Sequence, residues 1–212
     1  MPAWPVMSLK NRIIVGITGA SGAVYGVRML QVLKGLPVET HLVMSRAAEM
    51  TLAYETDLKA DEVRGLADFV HAIGDVGAPI ASGSFRTIGM VVAPCSVHSM
   101  AEIATGATSN LLTRAADVVL KERRRLVLML RETPLHTGHL RNMTALSEMG
   151  AIIAPPVPAF YAKPASVEEI VDHTIGRVLD LFGFDTGTVR RWGEPPDEGE
   201  TPSAGRARRT RR

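Results

Sequence analysis

Residues 14–26 read IVGITGASGAVYG, and this stretch decides the fold. It begins as a short apolar run rich in β-branched residues, which is typical of a strand buried in a parallel sheet. The glycine-rich turn TGASG follows, and from Ala23 the apolar residues recur with a period near 3.6, which predicts a helix. Strand, turn and helix in this order indicate the first unit of an α/β fold.

The same alternation continues along the chain. Further strands are predicted at 39–45, 90–94, 125–132 and from 151. Helices are predicted at 46–57, 97–106, 110–124, 136–150 and 166–183, with helical content also near 61–70. Helices between parallel strands must cover both faces of the sheet, so we predict an α/β fold with a doubly wound parallel sheet.

Charge is distributed unevenly along the chain. Of the 24 Lys and Arg residues, five lie within 206–212, so the rest carries 19 basic against 22 acidic residues. Residues 194–212 also lack an apolar period, which favours a disordered basic tail rather than a nucleic-acid site. We therefore divide the chain into an N-terminal extension (1–11), one α/β domain (12–193) and this tail.

The sequence also bears on the compartment. No apolar run approaches the roughly 18 residues of a membrane span. The single cysteine, Cys95, excludes an intrachain disulfide and fits a reducing environment. A cytoplasmic location without a membrane span or nucleic-acid partner is the expectation.

The first loop raises the question of its ligand. A dinucleotide fingerprint GxGxxG would need glycine in place of Ile17, and the next strand ends in Met44 and Ser45 rather than in the carboxylate that binds an adenosine ribose. A mononucleotide such as FMN has no second ribose, and hydroxyls at Thr18, Ser21 and Ser45 suit a phosphate or ribityl chain. A glycine-rich turn without a ligand remains the alternative.

Polar residues also follow the other strands. Ligands of open α/β sheets bind outside the carboxyl ends of the strands. We therefore expect one crevice to be lined by the polar residues at these ends, namely Ser21, Ser45, Ser96, His98, Ser99, Arg131 and Glu132.

Six motifs occur in unbroken order between about 12 and 193. They are TGASG (18–22), ETD (55–57), PCS (94–96), RAADVVLKERR (114–124), RETPLH (131–136) and PAFY (158–161). In these motifs the chain resembles the UbiX family of flavin prenyltransferases. The resemblance implies a flavodoxin-like Rossmann flavoprotein fold, usually assembled as a homododecamer.

The resemblance also implies an activity and its partners. Members of the family join a dimethylallyl group from dimethylallyl monophosphate to N5 and C6 of reduced FMN, without a known need for metal. The product, prenylated FMN, is the cofactor of a UbiD-type decarboxylase.

Carried over motif by motif, the resemblance implies three sets of site residues. The FMN contacts are Gly19, Ala20, Ser21, Ser45, Ser96, Val97, His98, Ser99 and Arg131. The contacts to the prenyl phosphate, some supplied across a subunit interface, are Arg114, Lys121, Arg131, Tyr161 and Arg177. The catalytic residues are Ser21, Glu55, Glu132 and Lys121.

Two other functions stay open at this point. A flavin-dependent decarboxylase of peptidyl cysteine or phosphopantothenoylcysteine shares the fold and FMN, but lacks the phosphate-binding set with Lys121, Tyr161 and Arg177. A carrier subunit would bind FMN and hand it to a decarboxylase without turnover.

Overall fold

The computed structural model describes residues 11–193. Within them the strands are β1 (Arg12–Ile17), β2 (Glu39–Met44), β3 (Phe69–His71), β4 (Gly89–Cys95), β5 (Arg125–Leu130) and β6 (Ile152–Ile153). The α-helices are α1 (Ala23–Leu33), α2 (Arg46–Glu55), α3 (Ala60–Arg64), α4 (Val97–Thr105), α5 (Leu111–Lys121), α6 (Thr137–Glu148) and α7 (Val167–Asp180). The predicted tail and all but the last residue of the predicted N-terminal extension lie outside the described residues.

The strands form one parallel sheet in the order β3-β2-β1-β4-β5-β6. Without the three-residue edge strand β3, this is the flavodoxin-like order, with the switch point between β1 and β4. The predicted fold class is therefore confirmed. The switch point matters because the loops after β1 and β4 diverge there and leave a crevice between them.

The sheet separates two cores. On one face Ile13 and Val15 of β1 pack in a cluster with residues of α1 and α7. On the other face Ile14 packs in a cluster with residues of α4 and α5. This alternation follows from the two-residue period of a strand, and it explains why β1 is apolar on both faces.

Two elements differ from the prediction. The segment near 61–70 was expected to be helical, but α3 ends at Arg64 and Phe69–His71 forms the edge strand β3. Phe69 and Val70 of β3 are 49% and 45% exposed, so this strand lacks the buried apolar pattern from which the other strands were predicted. The last strand is only two residues long, since Pro155 and Pro156 lack the N–H groups that would continue the ladder.

Thr18 ties the two sides of the switch point together. Its hydroxyl donates to the carbonyl of Pro94 (2.8 Å) and accepts from the backbone N–H of Ser96 (2.8 Å), and the residue is 1% exposed. The expectation that Thr18 contacts a ligand is therefore wrong. Its hydroxyl is used within the protein, where it fixes the loop after β1 to the end of β4.

Replacing Thr18 by valine is expected to cost about 2 kcal/mol of unfolding free energy, because the N–H of Ser96 loses its acceptor at this buried position. Valine has nearly the same shape, so the loss reports the hydroxyl. Urea denaturation measures it, with Thr18→Ser as the matched control that keeps the hydroxyl. Equal stability of the valine and serine variants would contradict this role.

Candidate active site

A cavity of about 500 Å³ opens at the carboxyl ends of β1, β2, β4 and β5. The residues that line it come from the loops after these strands and from the helix starts beyond them. They are Gly19, Ala20, Ser21, Ser45, Ala47, Ser96, Val97, His98, Ser99, Asn110, Leu112, Arg131 and Glu132.

All seven polar residues that were expected to converge lie in this cavity, so that prediction is confirmed. All nine residues that the resemblance assigned to FMN line it as well, although their contacts with FMN stay a prediction. Ala47, Asn110 and Leu112 were missed. Asn110 had a signal in the sequence, because Asn directly before an amphipathic helix is a preferred cap.

Three helices begin at the cavity wall. Ser45 caps α2 by accepting from the N–H of Ala48 (3.1 Å), and Ser96 caps α4 by accepting from the N–H of Ser99 (3.2 Å). Asn110 caps α5 in the same way. Because the N-terminal end of a helix carries partial positive charge, these starts and Arg131 make the cavity favourable for an anion.

The start of α1 holds an anion from the protein itself. One carboxylate oxygen of Glu55 accepts from the backbone N–H groups of Gly22 (2.8 Å) and Ala23 (2.9 Å). Burial alone would raise the pKa of Glu55, but hydrogen bonds from the Ser21 hydroxyl and these two N–H groups lower it below the ordinary 4.5. The first glycine-rich loop therefore cradles Glu55 there, and the start of α1 is not free for a ligand phosphate.

The lowered pKa of Glu55 fixes the pH range in which it stabilises the loop. The stability that ionised Glu55 gives to the folded protein is fully present above pH 4.5. It is lost as the pH falls through the lower pKa that Glu55 has in the folded state. We expect Glu55→Gln to lower the melting temperature at neutral pH and the difference from wild type to shrink below pH 4.5. Thermal melts across this range measure it, with Asp57→Asn as the exposed control. A difference that is the same at every pH would contradict the assignment.

Arg131 and Glu132 follow β5 directly. The N–H of Arg131 donates to the carbonyl of Cys95 (3.0 Å), which holds the start of the loop against β4. The Glu132 carboxylate accepts from the N–H of Thr133 (2.9 Å) and lines the cavity. Tyr25, which the sequence did not single out, lies close by, and burial raises its pKa while Arg131 opposes the rise.

The residues predicted for the prenyl phosphate do not all meet in one chain. Arg131 lines the cavity, but Lys121 lies nine residues beyond Leu112, about 14 Å along α5. Arg177 lies on α7, which packs on the opposite face of the sheet from α5. In this chain Lys121 pairs with Glu122 (2.5 Å) and Arg177 with Asp180 (2.7 Å).

Arg114 and Tyr161 are also outside the cavity lining. Arg114 lies one turn from the start of α5 and pairs with Asp117 (2.7 Å). Tyr161 lies in a short 3₁₀ helix (Phe160–Ala162) before α7 and is 44% exposed. One chain therefore builds the anion-favouring cavity, while most of the predicted phosphate ligands lie on its surface.

Comparison with known proteins shows the family to which this chain belongs. Residues 3–179 match the family model described as Flavoprotein, so the chain belongs to the flavoprotein family. Flavin prenyltransferase UbiX of Neisseria meningitidis serogroup B is 58% identical over 184 residues, which is 87% of this chain and 97% of that protein. Within the flavoproteins, the chain is thus a member of the UbiX flavin prenyltransferase family.

Two solved structures share the fold closely. AnUbiX (PadA1), crystallised with FMN and dimethylallyl pyrophosphate, is 54% identical with a TM-score of 0.87, covering 89% of this chain and all of that one. A dodecameric FMN-dependent UbiX-like decarboxylase from Escherichia coli O157:H7 is also 54% identical, with a TM-score of 0.85, covering 86% of this chain and all of that one.

Proposed function

We propose that this protein is a flavin prenyltransferase that joins a dimethylallyl group from dimethylallyl monophosphate to N5 and C6 of reduced FMN. The observation that carries the proposal is the cavity. It gathers all nine residues that the family resemblance assigns to FMN, in a chain 58% identical to a named flavin prenyltransferase. The product, prenylated FMN, would then serve a UbiD-type decarboxylase.

The cavity residues fit FMN in size and in charge. Its volume of about 500 Å³ lies within the range of small-molecule sites. The helix starts at Ser45 and Ser96 and the side chain of Arg131 offer N–H groups and positive charge for the phosphate of FMN. β2 ends at Met44, without the carboxylate that a dinucleotide would require, which favours a mononucleotide.

The donor phosphate is assigned to Arg131 of the cavity and to four residues outside the cavity lining. A leaving phosphate needs positive charge and fixed donors. Arg114, Lys121, Arg131 and Arg177 supply the charge, and Tyr161 supplies a hydroxyl. Since α5 and α7 lie on opposite faces of the sheet, we infer that different copies contribute these residues to one site. We propose that the assembly is a homododecamer, because the UbiX-like relative from E. coli O157:H7 is dodecameric.

Glu132 and Ser21 are proposed to move protons. When the allylic C–O bond breaks, its electron pair leaves with the phosphate, and the group attacked by the dimethylallyl cation loses a proton. Glu132 lines the cavity together with Ser21, whose hydroxyl bonds Glu55, so a carboxylate and a hydroxyl are available as a relay. Glu55 and Lys121 complete the proposed catalytic set.

The remaining predictions concern the domain organisation and the cellular location of the protein. We propose that residues 12–193 form the FMN-binding domain and that the protein acts in the cytoplasm. No helix among residues 11–193 is long and apolar enough to cross a membrane. Within the same residues no group of three or more His, Cys, Asp and Glu is arranged to hold a metal ion.

The test is an anaerobic assay. Purified protein is mixed with reduced FMN and dimethylallyl monophosphate, and both phosphate release and the mass of the extracted flavin are followed. A gain of one prenyl unit with release of phosphate is the expected result. Tightly bound FMN of unchanged mass would overturn the proposal and favour the carrier or decarboxylase function.

A further inference from the structure

His173 is a buried residue to which none of the proposed steps gives a role. It lies on α7 and is 7% exposed. Its Nε2 lies 3.5 Å from the hydroxyl oxygen of Tyr161 and 3.3 Å from the backbone carbonyl oxygen of Arg190. The imidazole therefore joins a proposed phosphate ligand to the segment that follows α7.

The carbonyl of Arg190 determines where the imidazole proton lies. A carbonyl oxygen only accepts hydrogen bonds, so Nε2 of His173 must carry a hydrogen to bond it. The same N–H faces the oxygen of Tyr161, which then accepts rather than donates. As a consequence, the hydroxyl hydrogen of Tyr161 is not used by His173 and can be donated to another acceptor.

The ring of Tyr161 is held on two sides. It makes an edge contact with His173 (centroids 5.7 Å apart, interplanar angle 81°) and another with Trp192 (5.6 Å, 84°). A side-chain N–H of Arg190 donates to the carbonyl of Ala162 (2.9 Å), which ties the segment after α7 to the turn that carries Tyr161. Two side chains thus flank the ring, while the residue as a whole remains 44% exposed.

His173 also lies on the same helix as the second proposed phosphate ligand of this region. Arg177 lies four residues further along α7, and residues spaced by four lie on the same side of a helix. His173 thus contacts the phenol of Tyr161 and lies on the same side of α7 as Arg177, and both of these residues are proposed to bind one phosphate.

We propose that His173 is a positioning residue that directs the hydroxyl of Tyr161 as a donor to the phosphate of the prenyl substrate. This rests on the proposed function, in which Tyr161 binds that phosphate. His173 itself donates a hydrogen bond to the phenol oxygen and does not touch the substrate.

The experiment compares His173→Gln with His173→Asn. The amide nitrogen of glutamine reaches about as far as Nε2, whereas that of asparagine is one carbon shorter. The readout is the dissociation constant of dimethylallyl monophosphate, measured by calorimetry on protein loaded with oxidised FMN, so that no prenyl transfer occurs. We expect near wild-type binding for glutamine and about 10-fold weaker binding for asparagine, the size of one hydrogen bond to a charged group.

The decisive comparison repeats the His173→Asn substitution in a Tyr161→Phe variant. Without the hydroxyl, His173 has nothing to direct, so adding His173→Asn to Tyr161→Phe is expected to change binding less than twofold. Equal binding by the glutamine and asparagine variants, or an undiminished effect in the phenylalanine background, would overturn the inference. Wild-type protein that does not bind dimethylallyl monophosphate would instead count against the proposed function.

Discussion

Replacing Glu132 by alanine is expected to slow prenyl transfer by roughly 100-fold or more, which is the contribution of a general acid or base. Glu132 lines the cavity in which the reaction would take place. The loss should appear in the rate constant for phosphate release under anaerobic, single-turnover conditions. Bound FMN, measured by absorbance after gel filtration, should remain.

Two controls separate proton transfer from packing. Glu132→Gln keeps the size of the side chain and the acceptor for the N–H of Thr133, but it cannot take up a proton, so it should be nearly as slow as alanine. Glu148→Ala changes an exposed glutamate of α6 outside the cavity lining and should leave the rate unchanged. A Glu132→Ala rate within twofold of wild type would show that the carboxylate has no catalytic role.

Gly19→Ala is expected to weaken FMN binding by about 10- to 100-fold, because overpacking of a close contact costs roughly 1–3 kcal/mol. A Cβ at position 19 would overlap the Cβ of Ala47 and approach its backbone, and both residues line the cavity. The loop after β1 would have to move away from the start of α2. Fluorescence quenching of FMN on titration with apoprotein measures the loss.

A second substitution can relieve the clash between the new Cβ and Ala47. Ala47→Gly removes the atom that the new methyl meets first, so the double variant should regain part of the affinity. Gly74→Ala is the neutral control, since nothing lies within 4 Å of its added Cβ. Unchanged binding in Gly19→Ala, or no recovery in the double variant, would show that close packing of these two segments does not shape the site.

Much of the cavity was predictable because its residues depend on local pattern and on one general rule. Ser45, Ser96 and Arg131 each follow an apolar strand, and parallel strands bring their carboxyl ends to one edge. The edge strand Phe69–His71 escaped prediction because it is short and half-exposed. An isolated three-residue segment of this kind has no periodicity by which to be recognised.

The sequence by itself determined the order of strands and helices, the glycine-rich loop and the polar residues at the strand ends, since these follow from hydrophobic period and residue type. Only the tertiary structure decided which groups are already used within the protein. Thr18 bonds across the switch point, and Glu55, 33 residues from Gly22, occupies the start of α1. Such pairings join distant segments, so they depend on how the chain packs and leave no trace in local sequence.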